Sequence, residues 1–236
     1  MNELDKYKEA YDNVFVLDNE LSLNWYPKRI LKMAKGDSIL ELGIGHGFST
    51  KILAEKFKNY VVIDASQEMV NRFYKKFPEV KIKMFFGYFE EVELKEKFDN
   101  ILMGFVLEHV DDPEIILSKY RKYLKPSGSI FITVPNGEVL HRRFGYEAGM
   151  LDDMLKLTSA DYEFGHKRVF NLEKLKKLVT SLDYNIEKIE GIFLKPIATQ
   201  QIIDLKLTDE ILNAMLKVGI NYPELCNSIL MEIKPK

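Results

Sequence analysis

Cysteine is all but missing from this chain of 236 residues: Cys226 stands alone, so no internal disulfide can form. Inside the apolar run Cys226-Asn-Ser-Ile-Leu-Met it reads as a small core residue and not as a nucleophile. An apolar run of about 18 residues and a charged-then-apolar leader are both missing, so a cytoplasmic chain with no membrane partner is expected. Neither sign of charge is in excess, with 34 Lys and Arg against 36 Asp and Glu. No dense basic tract supplies the footprint of a general nucleic-acid binder. Repeats, low-complexity segments and a Pro/Gly-rich linker are absent too. The 46% hydrophobic content is enough to bury one core, and a single α/β domain over residues 1–236 is expected.

The rest of the chain is organised around Ser38-Ile-Leu-Glu-Leu-Gly-Ile-Gly-His-Gly47. It reads as a buried strand ending at Glu41-Leu42 that turns through Gly43, Gly45 and Gly47 into a helix starting near Phe48. Glycine at alternate positions marks a backbone that a ligand approaches closely. Phe48 stands where a dinucleotide fingerprint needs a small residue, and no Lys-Ser/Thr pair makes a P-loop. Glu41 would repel a pyrophosphate but not a ligand carrying an ammonium and a sulfonium.

Strand patterns fall at 38–42, 60–64, 80–86, 98–104 and 128–134, with helical periodicity at 48–57, 67–77, 113–124 and 171–182. Such alternation implies a doubly wound parallel sheet whose ligand site lies at the carboxyl ends of the strands. Asp64 ends the second strand 21 residues after Gly43, where a carboxylate receives the two ribose hydroxyls of a nucleoside; Ser66 is the better N-cap for the next helix. Gly87-Tyr88-Phe89 after the third strand is a candidate adenine slot, with Phe85, Phe86 and Phe89 also readable as core. Asp112-Pro113 is a helix start and not a metal pair, whereas Glu108 and His109 precede that helix and face the site.

Residues 1–35 read as a helical cap, helical from about Asn24 to Ala34, with Tyr7, Tyr11, Trp25 and Tyr26 packing it to the body or closing over a ligand. Regular alternation lapses at 137–170 and 195–224, which suggests acceptor-side lids. His141-Arg142-Arg143 in the first of these reads as a solvated charge run or as a dock for an anionic acceptor.

Taken together, Glu41-Leu-Gly43-Ile-Gly45-His-Gly47, Asp64, Leu107-Glu108-His109-Val110-Asp111-Asp112-Pro113, Leu124-Lys-Pro-Ser-Gly128 and Gly165-His166-Lys-Arg168-Val-Phe170 resemble the class I S-adenosylmethionine-dependent methyltransferases. The resemblance implies a Rossmann-like seven-stranded, mostly parallel sheet, its antiparallel strand supplied from 184–194 and 226–233. It implies S-adenosyl-L-methionine across Glu41, Gly43, Gly45, Gly47, Asp64 and Ala65, with adenine near Tyr88, Phe89, Phe105 and Val106. Tyr88 stands where many relatives carry an Asp. The Glu-His-Val stretch is similar to ubiquinone-pathway O-methyltransferases and small-RNA 3′-end methyltransferases, in which Glu-x-x-Glu-His and a later His hold a divalent metal. Phe105 takes the first Glu position here, so no essential metal is expected.

The implied activity is methylation of a small polar acceptor, a sugar or phosphorylated compound, at oxygen. N-methylation of an amino sugar or amine, and a cofactor-binding protein without catalysis, are the alternatives. His109 and His166 are the candidate catalytic residues, one serving as general base if the acceptor is a hydroxyl, while His46 is read as a cofactor-loop residue. A monomer or homodimer is expected.

Overall fold

The computed structural model describes residues 16–236, so Tyr7 and Tyr11 lie outside the described residues. Seven strands, β1 (Ser38–Leu42), β2 (Asn59–Asp64), β3 (Lys83–Phe86), β4 (Phe98–Gly104), β5 (Leu124–Pro135), β6 (Tyr184–Leu194) and β7 (Cys226–Pro235), form one sheet in the order β3-β2-β1-β4-β5-β7-β6. The pairs from β3 through β5 are parallel. β7 runs antiparallel to both β5 and β6. Strand order reverses between β1 and β4, which places a crevice at their carboxyl ends.

The helices are α1 (Val16–Met33), α2 (Phe48–Ala54), α3 (Gln67–Lys76), α4 (Pro113–Arg121), α5 (Leu140–Glu147), α6 (Ser159–Glu163), α7 (Leu172–Ser181), α8 (Thr199–Asp204) and α9 (Asp209–Gly219). Several start where short polar side chains satisfy first-turn N–H groups. Ser66 accepts from Met69 N, Asp112 from Glu114 N with Pro113 following, and Asn171 from Lys174 N. Because side chains alternate across a strand, the sheet separates two cores. Leu40, Val61, Ile101 and Ile132 face α4 and α7, while Ile39, Val62, Leu102 and Phe131 face α1, α2 and α9.

The helix expected from Asn24 begins by Val16, because Asp18 and Ser22 sit on its buried face and interrupt the apolar stripe. β3 spans only Lys83–Phe86, since Val80 and Ile82 pack outside the ladder. The stretches where alternation lapses are not irregular. α5 and α6 occupy the first; α8 and α9 occupy the second, where Leu212, Leu216 and Gly219 are buried and α9 packs on β6. Among the described residues no helix is long and apolar enough to cross a membrane.

Candidate functional site

The glycine turn follows directly from β1. Gly43, Gly45 and Gly47 have φ of 76°, 47° and 75°, a region that side chains other than Gly rarely adopt. Two of them serve different ends. A Cβ on Gly47 would stand 2.4 Å from Cδ2 of Phe73, whereas one on Gly45 would meet nothing within 4 Å, leaving open cradle above the backbone. Asp64 braces the turn from β2: one carboxylate oxygen accepts from Ile44 N at 2.8 Å and the other from Ser66 N at 2.7 Å. Phe89 and Val106 each come within 3.7 Å of where a Gly43 Cβ would be, so they flank the turn.

Glu41 is 1% exposed, and its carboxylate accepts from Ser49 Oγ at 2.5 Å, Thr50 Oγ1 at 2.6 Å and Tyr60 Oη at 2.8 Å. Those three hydroxyls tie β1 to α2 and β2. Burial nevertheless pushes its carboxyl up to about 7.

A cleft of about 530 Å³ opens at the carboxyl ends of β1, β4 and β5, within the usual range of roughly 300–1,000 Å³ for small-molecule sites. Gly43, Gly45, His46, Gly47, Phe105, His109 and His166 line it together; Glu41, Asp64, Ala65, Tyr88, Phe89 and Val106 do not. Phe105 holds φ of 56°, its N–H donating to the backbone oxygen of Thr133 at 2.9 Å and lying 3.1 Å from Thr133 Oγ1. Strain of this kind gathers at functional sites.

His109 and His166 meet edge to face with ring centroids 4.9 Å apart. Arg168 draws the two segments together by donating to the carbonyls of Leu107, Val110 and Asp111. Lys167 N adds a bond to Glu108 O at 2.8 Å. His109 Nδ1 lies 3.3 Å from Gly165 O and His166 Nδ1 lies 2.9 Å from Asp161 Oδ1. Both partners accept, so each Nδ1 carries a proton. Burial and the neighbouring His166 lower His109 to about 4, keeping it neutral. Asp161 stays ionised, held down to about 2 against its burial by bonds from His166 and Thr158.

Glu108 completes the group. It is 1% exposed, neither carboxylate oxygen has a hydrogen-bond partner, and burial raises it to about 7. One ligand atom from each of Glu108, His109 and His166 lies within 4.8 Å of the others. Glu108 accepts here when ionised and donates when protonated, so the cluster can take a proton, a hydroxyl, an ammonium or a divalent cation.

Further lining comes from α1, α5 and the segment after β6. Asp18 Oδ1, Ser22 Oγ, His141 Nδ1 and Arg142 Nε are buried there without partners. Lys195 Nζ bonds Asp18 Oδ2 at 2.5 Å and Thr199 Oγ1 at 2.7 Å.

Residues 21–189 match the family described as "Methyltransferase domain". The chain belongs to that family. It is a class I S-adenosylmethionine-dependent methyltransferase. The methyltransferase is 28% identical over 167 residues to malonyl-[acyl-carrier protein] O-methyltransferase of Priestia megaterium, covering 69% of this chain and 56% of that relative. To the ubiquinone biosynthesis O-methyltransferase of Pelagibacter ubique it is 31% identical over 107 residues, 44% of this chain and 45% of that one. The chain therefore spans about half the length of these curated relatives. A solved S-adenosylmethionine-dependent methyltransferase of Thermotoga maritima, described as a possible histamine N-methyltransferase, shares the fold: TM-score 0.67, 16% identity, covering 99% of this chain and 98% of that one.

The residues present fit S-adenosylmethionine as the methyl donor of this methyltransferase. The Gly45 position is an open cradle, and Asp64 at the end of β2 holds the turn beside it through Ile44 N and Ser66 N. Sequence reasoning passed over Asp161 as the partner of His166, Arg168 as the residue joining two segments, and the Asp18, Ser22 and Lys195 wall. The Thr158-Ser-Ala-Asp161 spacing is a capping-box signal that marks where α6 begins and so places Asp161 near His166.

Proposed function

We propose that the methyltransferase methylates an oxygen of a small polar metabolite, a sugar or a phosphorylated compound, with His109 and His166 lining the acceptor side. The observation that carries this reading is the convergence of Glu108, His109 and His166 in the cleft, with one polar atom of each within 4.8 Å of the others and both Glu108 oxygens unpartnered. When bound, S-adenosylmethionine supplies an electrophilic methyl on its sulfonium. A histidine Nε2 would take the proton of the acceptor oxygen that receives this methyl. His166 is the better placed of the two, because Asp161 fixes its tautomer. Holding the acceptor in line contributes up to roughly 7–11 kcal/mol, and a base adds roughly 10²–10⁴ in rate.

In this reading Asp64 receives the ribose hydroxyls with Ala65 beside it, and Tyr88, Phe89 and Val106 edge the adenine. Phe105 edges the adenine beside Val106; Gly43, Gly45 and Gly47 hold the methionine end, and Glu41 lies beside that turn. The protein works in the cytoplasm as a monomer or homodimer and needs no resident metal. A second reading rests on the same cluster: the three atoms within 4.8 Å offer a divalent cation three ligands. The unpartnered Glu108 carboxylate equally suits an ammonium, which would make the reaction N-methylation of an amino sugar or amine.

The test is incubation of the purified chain and its donor with a metabolite pool, followed by mass spectrometry for products heavier by one methyl. His166→Gln should lower kcat by roughly 10²–10⁴ and leave cofactor affinity unchanged. If His109→Gln and His166→Gln both keep the kcat of the parent and its pH dependence, the histidine base is wrong.

A further inference from the structure

We propose that the acceptor carries an anionic oxygen group, a carboxylate or a phosphate, and that Arg142, which lines the cleft, binds it, with Lys195 beside it. This rests on the reading of the cleft as the acceptor site and adds the charge of what enters it.

Arginine in this protein is otherwise well satisfied around the cleft. Arg29 makes a two-pronged pair with Glu190 at 2.7 and 2.8 Å, and Arg143 pairs with Glu138 at 2.8 Å. Arg168 is consumed by three backbone carbonyls. Arg142 has one bond, a long one of 3.3 Å from Nη2 to Lys156 O, and among the described residues it forms no ion pair. Its Nε is buried without an acceptor and the residue lines the cleft. A guanidinium always carries its charge, so a buried N–H left unsatisfied there is a cost that a ligand removes.

The one carboxylate beside Arg142 on this wall, Asp18, is already paired. Lys195 is 3% exposed and paired with Asp18, which leaves the Arg142 charge uncompensated on this wall. His141 Nδ1 is also buried without a partner, and burial together with Lys195 and Arg142 holds that ring neutral. A group with two anionic or partly protonated oxygens fits: it accepts from Nε and Nη of Arg142 as a fork, while a protonated oxygen donates to His141.

The experiment titrates the full chain, with and without S-adenosylhomocysteine, with inorganic phosphate and separately with acetate, following the heat of binding. Expected is saturable binding of one of the two anions to the parent protein, weakened about 10-fold or more in Arg142→Gln. Arg143→Gln, which loses a surface-side pair, should bind the anion like the parent. Phosphate binding more tightly than acetate would identify a phosphorylated acceptor, and the reverse a carboxylate. Anion affinity unchanged in Arg142→Gln, or no binding of either anion to the parent, would overturn the proposal. Equal S-adenosylhomocysteine affinity in parent and variant shows that Arg142→Gln is folded. Failure of the parent to bind S-adenosylhomocysteine would instead count against the cofactor reading, and the anion titration without it decides this proposal separately.

Discussion

Replacing Glu108 with Gln should make the protein more stable and less active, and the stabilisation should grow with pH. Burial, only partly offset by His166 and Arg168, raises the folded carboxyl from 4.5 to about 7. A group raised in this way contributes stability that is fully present below its unfolded value and is lost as pH rises through about 7. Gln has no proton to lose. At about 1.36 kcal/mol per unit, the variant should gain about 3 kcal/mol near pH 8 and less than about 1 kcal/mol near pH 5. For a chain of this size that corresponds to roughly 5–10 °C in Tm at the higher pH. Both Glu108 oxygens lack partners, so the amide starts from the same deficit as the protonated acid and the neutral forms nearly cancel. Glu41, also raised to about 7, is present in both proteins and drops out of the difference. Scanning calorimetry at the two pH values, with chelator throughout, measures the stability; kcat is taken in parallel. Destabilisation at both pH values would mean that Glu108 has a partner in the native state. An equal gain at both would mean that its titration is not responsible. An unchanged kcat would remove Glu108 from the chemistry.

Asp64→Ala should weaken S-adenosylmethionine binding by about 1.5–3 kcal/mol in a calorimetric titration, since a charged acceptor is lost; unchanged affinity would take Asp64 out of the cofactor site. Gly45→Ala and Gly47→Ala should part company. The former has space for its Cβ and should fold, at a cost of about 1–2 kcal/mol for its φ, but lose cofactor binding; the latter collides with Phe73 and should lose Tm far more steeply. Identical behaviour of the two in thermal melts would contradict the roles given to them. Chelator treatment should leave turnover intact, and activity lost and then restored by a divalent ion would favour the cation reading of Glu108, His109 and His166.

Much of the sheet was legible because buried strands declare themselves locally. β1, β4 and β6 span Ser38–Leu42, Phe98–Gly104 and Tyr184–Leu194, matching the runs expected for them. The glycine turn was legible for the same reason, as its φ values are written in residue type. α9 was not, because its buried stripe of Leu212, Leu216 and Gly219 is thin and lies beside exposed Ile211 and Val218. The acceptor wall depends on distant partners: Asp161 with His166 is short-range, but Arg168 reaches back 61 residues to Leu107. The three hydroxyls that donate to Glu41 were not legible for a related reason, since Tyr60 lies 19 residues away on another strand. The orphaned atoms of Asp18, Ser22, His141 and Arg142 are a property of the assembled cleft and have no local sign.

One wall of the cleft is held by bonds between opposite parts of the chain: Lys195 to Asp18 across 177 residues and Arg29 to Glu190 across 161. Closing loops of that length early in folding is entropically unfavourable, so these contacts form after the sheet that presents their partners. Detachment of α1 would empty the cleft of Asp18, Ser22 and Tyr26 while leaving all seven strands paired. Molecules bound there would act as a clasp on the N-terminal helix, so that occupancy and local folding of this segment become one equilibrium.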